Sequence, residues 1–224
     1  LLGYRDQGFL PEGLLNYLAL LGWSISGDRD VFTLAEMIEA FEVTDVQPNP
    51  ARFDIKKCEA INGDHMRMLT PDDFVNRIVP FFEVEGVVSQ PITAEQREVL
   101  VAAGPLVQER INLLTEAVPM LRFLFAREDF TIDEKDGEKN LTDAGLEVVR
   151  VASDALAGLV DWTTAGIEGA LRATLIEGLD LKPRLAFGPV RVAVTGSRIS
   201  PPLFESLELL GRDVTLARLN AVLA

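Results

Sequence analysis

Histidine and cysteine, which often carry out catalysis or bind zinc, are scarce in this 224-residue chain. It has one cysteine, Cys58, and one histidine, His65, too few for a zinc site of the usual ligand types. A catalytic triad would have to use His65, which is better interpreted as a surface or interface histidine. Adjacent carboxylates such as Asp72-Asp73 and Glu128-Asp129 arise by chance among 35 acidic residues. The sequence therefore predicts no catalytic residue, no metal site and no cofactor within this chain.

Two arginines stand out because each lies in an apolar pattern. Arg110 shares a predicted helical stripe with four apolar residues, Leu106, Leu113, Leu114 and Ala117. From the residues alone, its stem lies along apolar surface and its guanidinium stays in water. Arg191 lies at residues 190–195 (VRVAVT) as a surface arginine among valines. Alternation and β-branching there favour a short strand, although no second strand is evident to pair with it.

The charge is acidic overall and unevenly distributed. A formal net charge of -14 argues against general nucleic-acid binding, because phosphate binding depends on Lys and Arg. Residues 180–224 nevertheless carry six basic and four acidic side chains, so the acidity lies elsewhere. This distribution suits selective RNA binding through a small footprint, with no DNA partner. The absence of a run of about 20 apolar residues predicts no membrane partner, and the single cysteine fits a cytoplasmic location.

The elements that would position these side chains are predicted to be helical almost throughout. Start signals are Pro11 in a first turn, Thr70 followed by Pro71, and two capping boxes, Thr33 with Glu36 and Thr93 with Gln96. Periodicity adds helices at residues 53–62, 141–159, 163–176, 201–210 and 214–223. Connections are predicted at residues 86–91 and 178–189, and a domain boundary in the charge-dense residues 127–140. The predicted fold class is all-α.

Three segments, in order, carry a family resemblance. They are residues 4–24 (YRDQGFLPEGLLNYLALLGWS), residues 53–67 (FDIKKCEAINGDHMR) and residues 189–211, which contain PVRVAVTG, SRISPPLF and LLG. Together they resemble the region of bacterial-type glutamyl-tRNA synthetases, class I aminoacyl-tRNA synthetases, that follows the second ATP-site signature. The second segment departs from the family pattern at three positions: Cys58 replaces a leucine, Ala60 a tryptophan and His65 a tyrosine.

The resemblance implies a fold and a division into domains. A helical stem-contact domain is expected at residues 1–86, followed by two helical anticodon-binding subdomains at residues 87–130 and 131–224. It makes residues 190–195 helical, against the strand pattern. The nucleotide-binding Rossmann domain would lie upstream of Leu1, so this fragment is expected to be inactive alone. ATP and Mg²⁺ would be cofactors of the parent ligase.

The resemblance also implies which residues contact RNA. The arginine that matches Arg110 reads the third anticodon base, where a guanidinium suits the acceptors of cytosine. Arg191 would lie beside the anticodon loop. The first two bases would meet main-chain groups and exposed apolar side chains of the loop Ser200, Pro201, Pro202, Leu203 and Phe204. Phosphate contact to the inner tRNA arm is the hypothesis for Lys56, Lys57 and Arg67, and a solvated helical face is the alternative for each lysine.

The partner implied is glutamate tRNA, with glutamine tRNA as a second candidate, bound by a monomer that attaches glutamate to it in the full-length ligase. The alternative interpretation is a helical protein-interaction module without RNA binding, which the acidic charge and the leucine-rich helices allow. A self-contained small hydrolase has little support, since no nucleophile and base are seen together.

Overall fold

The computed structural model describes residues 2–48 and 52–224, and Leu1 lies outside them. Within these residues the chain forms α-helices joined by turns, with no β-strand beyond an isolated bridge between Ser26 and Arg29. The predicted all-α fold is confirmed. The helices are α1 (Leu2–Asp6), α2 (Pro11–Leu20), α3 (Leu34–Ala40), α4 (Ile55–Arg67), α5 (Pro71–Val84), α6 (Ala94–Gln108), α7 (Ala117–Leu121), α8 (Glu134–Asn140), α9 (Asp143–Ala157), α10 (Thr164–Leu171), α11 (Pro183–Thr195), α12 (Leu203–Leu210) and α13 (Arg212–Ala221).

The chain divides into two compact units, Leu1–Pro119 and Met120–Ala224. The division falls inside α7, ahead of the charge-dense segment at residues 127–140, and that segment itself contains α8. The finer division into three domains stays a prediction.

The first unit is built around α2 packed on α4 and α5 packed on α6. Its core includes a cluster of Phe9, Leu14, Tyr17, Cys58 and Ile61. Burial raises the pKa of the Cys58 thiol to about 11, so this cysteine stays protonated and unreactive at neutral pH.

The helix starts in this unit follow the predicted signals. Thr33 with Glu36 and Thr93 with Gln96 both form complete capping boxes, at α3 and α6. Thr70 caps α5 by accepting a hydrogen bond from the Asp73 N–H, with Pro71 in the first turn. The second segment of the resemblance forms α4, which continues beyond its predicted end at residue 62 to Arg67.

The second unit packs α9 against α11 and α13, and α10 against α12. After α10 the chain continues as a π-helical turn, Arg172–Gly178. The predicted helical hairpin is confirmed as α12 and α13, which meet at Gly211 with a positive φ of 84°.

Two predictions from local pattern are wrong here. Residues 190–195 are helical: Ala193 and Thr195 are buried in α11 together with the three valines, so the alternation does not mark one buried and one exposed face of a strand. The connection predicted at residues 178–189 is shorter than expected, because α11 already begins at Pro183.

Candidate nucleic-acid interface

Asn62 fixes the segment that follows α6 in the first unit. Its side chain is fully buried, accepts a hydrogen bond from the Leu10 N–H (2.7 Å) and donates to the Asn112 carbonyl (2.6 Å). The backbone at Gly13 lies so close that a Cβ there would be 2.7 Å from Asn62 Oδ1. Asn62 therefore links the start of α2, α4 and residues 110–116.

Gln108 and Gly8 hold the same segment on its two sides. Gln108 is buried and donates from Nε2 to the Met66 and Leu69 carbonyls, both at 2.9 Å. Gly8, with φ of 92°, accepts a hydrogen bond from the Leu114 N–H at 3.0 Å. A Cβ at Gly8 would lie 2.7 Å from the Leu114 nitrogen, so only glycine fits.

Arg110 lies in the turn between these anchors. Helix α6 ends at Gln108, and the Arg110 N–H donates to the Val107 carbonyl at 2.8 Å. The predicted helical stripe through Arg110 is therefore wrong, because the segment is a turn in which Ile111 takes the buried position. The Arg110 side chain is exposed, and no partner for its guanidinium is found among residues 2–48 and 52–224.

The three cations predicted to meet phosphates differ in their surroundings. Lys56 and Lys57 lie at the exposed start of α4, where Lys57 Nζ is 2.8 Å from Asp30 Oδ2. Arg67 ends α4 and pairs with Asp64 at 2.8 Å, with 30% of its side chain exposed. Of the three, Lys56 is the one without an ion pair in the part of the chain that the structure describes.

His65, predicted at a surface or interface, is buried in α4 and 5% exposed. Its Nε2 lies 2.8 Å from Asn16 Oδ1, which also accepts the Phe32 N–H at 3.0 Å. Burial lowers the pKa of His65, against the raising effect of the Glu12 and Asp64 carboxylates. This histidine has a structural role in joining α2 and α4.

In the second unit, Arg191 braces the predicted RNA-binding loop. Arg191 is a half-buried residue of α11. Its guanidinium donates to Ser200 Oγ and to the Pro201 carbonyl, the latter at 2.7 Å. Ser200 is 7% exposed, so this contact lies beneath the loop surface. The structure thus brings Arg191 and the loop together, and one guanidinium nitrogen of Arg191 is used to shape it.

The apolar residues of that loop are less exposed than predicted. Pro201 and Leu203 are buried, while Pro202 and Phe204 are half-buried. Leu203 turns inward because it opens α12 and packs into the core. The exposed apolar side chain here is Ile199, at 64%, just before the predicted loop, and loop 197–204 denotes residues 197–199 together with the predicted loop.

Asp136 anchors the beginning of the loop, and sequence reasoning missed it. Its Oδ2 accepts hydrogen bonds from Ser197 Oγ (3.1 Å) and the Arg198 N–H (2.8 Å), and Arg198 Nε lies 3.4 Å from Oδ1. Before the loop, Gly196 has φ of 80°, and a Cβ there would lie 2.5 Å from the Thr131 carbonyl oxygen. No sequence signal distinguishes Asp136 from the other acids of its charge-dense segment.

A groove of about 860 Å³ lies beside this loop. Its lining comes from α8, the start of α9 and the first half of α11, and it includes Arg191 and Arg198. The other two basic residues, Lys139 and Arg184, were not predicted as site residues. No aspartate or glutamate is among the lining residues.

Arg218 corrects the predicted basic footprint of residues 180–224. It is 6% exposed, donates to the Val194, Phe123 and Ala126 carbonyls, and lies 3.8 Å from the Phe130 ring centroid. Burial lowers its pKa to about 10. This arginine is a structural clamp, so it is not part of an exposed basic footprint.

Two protein-family models match this chain, each over a different range of residues. Residues 73–223 match the family model described as the anticodon binding domain. This chain belongs to the anticodon-binding domain family. Residues 2–60 match a second model, described as the catalytic domain of class I tRNA synthetases (E and Q). Arg110, Arg191 and the loop fall within the anticodon-binding match, whereas Lys56 and Lys57 fall within the second.

The curated relatives that match this chain are longer than the chain itself. The chain is similar to the glutamate–tRNA ligase of Nocardioides sp. (strain ATCC BAA-499 / JS614), with 60% identity over 223 residues, 99% of this chain and 45% of the relative. It is 58% identical to that of Saccharopolyspora erythraea, over 98% of this chain and 44% of the relative. The chain thus spans less than half the length of these relatives.

Solved structures share the fold. A glutamate tRNA ligase from Elizabethkingia meningosepticum, in complex with its amino acid, superposes with a TM-score of 0.80 at 23% identity. The superposition covers 98% of this chain and 42% of the chain of that ligase. The glutamate-tRNA synthetase of Elizabethkingia anophelis gives a TM-score of 0.77 at 22% identity.

Two further features concern metal binding and membranes. Across residues 2–48 and 52–224, no group of three or more His, Cys, Asp or Glu side chains is arranged to hold a metal ion. In the same residues, no helix has the length and apolar character needed to span a bilayer.

Proposed function

We propose that this chain binds the anticodon arm of a glutamate tRNA, as the C-terminal part of a glutamate–tRNA ligase. The observation that carries this proposal is the loop 197–204, braced from below by Arg191 and Asp136 beside a groove lined by cations, within a chain of the anticodon-binding domain family. Such a loop is held in shape before RNA arrives, which lowers the entropic cost of binding.

Arg110 is proposed to read the third anticodon base. The turn that carries it is fixed by Gln108 and by Asn112, which Asn62 holds in place, while its own guanidinium has no partner in the described residues. A backbone turn that is fixed in place, carrying such a planar guanidinium, suits bidentate hydrogen bonding to the edge of a nucleobase. Cytosine presents acceptors that a guanidinium can satisfy, so a cytosine at that position is favoured.

The loop is proposed to meet the first two anticodon bases. Because Pro201 and Pro202 lack N–H groups, any main-chain donors come from the residues on either side of them. Ile199 and the half-buried Phe204 supply apolar surface for unstacked bases. Arg191 acts in this proposal mainly by positioning Ser200 and Pro201.

Lys56 and Lys57 are proposed to contact phosphates of the inner tRNA arm, which position the RNA without reading its sequence. Arg67 contributes less, because Asp64 already pairs with it. Amino-acid activation with ATP and Mg²⁺ would take place in the part of such a ligase that this chain does not cover. We further propose a cytoplasmic monomer that recognises glutamate tRNA, with glutamine tRNA as a second candidate substrate.

The test is binding of the 224-residue chain to glutamate tRNA transcripts with single anticodon changes, measured by fluorescence anisotropy. Wild type should bind the unchanged anticodon more tightly than each variant. Arg110→Ala should lose discrimination at the third base only, by roughly 10-fold, which corresponds to about 1.4 kcal/mol for a base-specific contact. Arg150→Ala, another exposed arginine, should behave like wild type.

Two outcomes would overturn the proposal. Equal binding of all anticodon variants would remove the claim of base recognition, and a steep salt dependence alone would indicate phosphate contacts only. Absence of tRNA binding, together with a stoichiometric protein partner, would support the interaction-module alternative instead.

A further inference from the structure

We propose that the groove beside the loop is a subsite for one nucleotide that flanks the anticodon, with its phosphate held by Lys139 and Arg184. This inference rests on the proposed function and deepens it, because it assigns two phosphate-binding residues and a base-accepting surface. The nucleotide would be the next one along the strand that crosses residues 200–204.

The charge of the groove is the first argument. Four basic side chains line it, Lys139, Arg184, Arg191 and Arg198, and no carboxylate does. The chain as a whole has 35 acidic residues against 21 basic ones, so a carboxylate-free lining of this size contrasts with the rest of the molecule. Such a lining attracts an anion and disfavours a basic peptide.

The state of those cations is the second argument. Arg191 is bonded to the loop and Arg198 lies 3.4 Å from Asp136. Lys139 and Arg184 are both exposed, and neither has an ion pair or hydrogen-bond partner for its side chain among the described residues. These two therefore supply positive charge that no neighbouring carboxylate neutralises, as a phosphate site requires.

The apolar lining is the third argument, because a nucleotide also presents a flat base. Val148, Leu181, Leu185 and Phe187 line the same groove. A volume of about 860 Å³ lies within the range of roughly 300–1,000 Å³ typical of small-ligand pockets. An unstacked base can lie on aromatic and aliphatic surface while its phosphate meets the cations.

Continuity with the loop is the fourth argument. The ring of Phe187 meets that of Phe204 edge to face, with centroids 5.3 Å apart. The Arg172 guanidinium lies 5.7 Å from the first ring and 5.9 Å from the second. The groove and the loop therefore share one aromatic surface, and a strand lying on the loop reaches the groove with its next nucleotide.

The experiment compares two double variants of the 224-residue chain that change net charge equally. Lys139→Ala with Arg184→Ala removes the proposed phosphate ligands. Lys135→Ala with Arg150→Ala is the matched control, because both residues are exposed and outside the groove. Binding of a glutamate tRNA transcript is measured between about 50 and 200 mM salt, the range in which phosphate contacts change affinity most clearly.

We expect the groove variant to reduce the slope of log K against log salt by about 0.7 for each single-strand phosphate that the protein no longer neutralises. The control should keep the wild-type slope. In transcripts with single neutral methylphosphonate linkages, one position next to the anticodon should weaken wild-type binding, and that same position should have no further effect in the groove variant.

Failure of this inference can be distinguished from failure of the proposed function. If wild type discriminates anticodons while both double variants have the same salt slope, the groove assignment is wrong and the proposed function stands. If no linkage near the anticodon is sensitive, the flanking-nucleotide assignment is wrong. If wild type does not discriminate anticodons, the proposed function itself has failed.

Discussion

At the scale of single residues, several positions that carry the family resemblance are structural. Asn62 links Leu10 to Asn112, and Gly13 lacks a side chain because Asn62 fills that space. Asn16 bonds the Asp30 carbonyl, the Phe32 N–H and His65. Asn62 and Gly13 build the scaffold for the Arg110 turn, and Asn16 joins α2 to α4. Their match to a motif therefore does not by itself indicate RNA contact.

His65 gives a pH prediction for the first unit. Because burial lowers its pKa below 6.5, the unfolded chain takes up its proton at a higher pH than the folded chain. The stability contribution of neutral His65 is therefore complete above about pH 6.5 and is lost as the pH falls from there through the folded-state pKa. Urea unfolding, monitored by the exchange protection of residues 2–119, should show this loss as the pH falls below about 6.5.

The matched variant is His65→Gln, which cannot take up this proton. Its free energy of unfolding should be lower than that of wild type at neutral pH. That free energy should stay constant over the same pH range, because the carboxylates titrate mainly at lower pH. As the chain has one histidine, no other side chain of this type contributes. A slope that persists in His65→Gln would assign the pH dependence to another group.

At the scale of elements, Asp136 of α8 is predicted to order the loop 197–204. Asp136→Ala removes the acceptor of the Ser197 hydroxyl and the Arg198 N–H. A hydrogen bond to a charged group is worth about 1.5–3 kcal/mol, so amide exchange in residues 196–200 should become about tenfold faster or more.

Exchange monitored by mass spectrometry checks this, with Glu138→Ala as control on the exposed side of the same helix. The control should leave loop exchange unchanged. If Asp136→Ala also leaves it unchanged, Arg191 alone suffices to hold the loop. Anticodon discrimination should weaken in parallel with loop disorder.

Helix starts were predictable from sequence because they depend on nearby residues. The Thr33, Thr70 and Thr93 caps each involve a partner three residues away. The alternation at residues 190–195 misled because Ala193 and Thr195 are buried as well as the valines, and that burial depends on how α11 packs against α9, α12 and α13. The Arg110 turn was missed because its anchors, Asn62 and Gly8, are distant in sequence.

The candidate site was predictable to a similar extent. Arg110, Arg191 and the loop came from resemblance, and the structure gives them a specific geometry: a fixed turn for Arg110 and a loop braced by Arg191. Asp136, Lys139 and Arg184 could not be found, because acids and bases are frequent in this sequence. Their distinction is spatial: one is buried against the loop and two line a groove without carboxylates.

At the scale of the whole molecule, charge totals describe the protein poorly. Of the basic residues after residue 180, Arg218 is buried and Arg191 holds the loop, so a count of charges overstates the exposed footprint. Conversely, the groove is locally basic although the net charge is -14. Local composition of a surface, and not the total, determines where an anion binds.

The two compact units provide the last prediction, because every hydrogen-bond partner of Asn62 lies in the first. Asn62→Ala leaves the Leu10 N–H and the Asn112 carbonyl without these partners. At about 1–3 kcal/mol for each of these two groups, the first unit should lose about 2–6 kcal/mol. Hydrogen exchange should show reduced protection in residues 2–119 and unchanged protection in residues 120–224. Asn76 is an exposed asparagine of the same unit, and Asn76→Ala should leave both the stability and the exchange protection unchanged. A uniform loss across both units would mean that they unfold as one cooperative body.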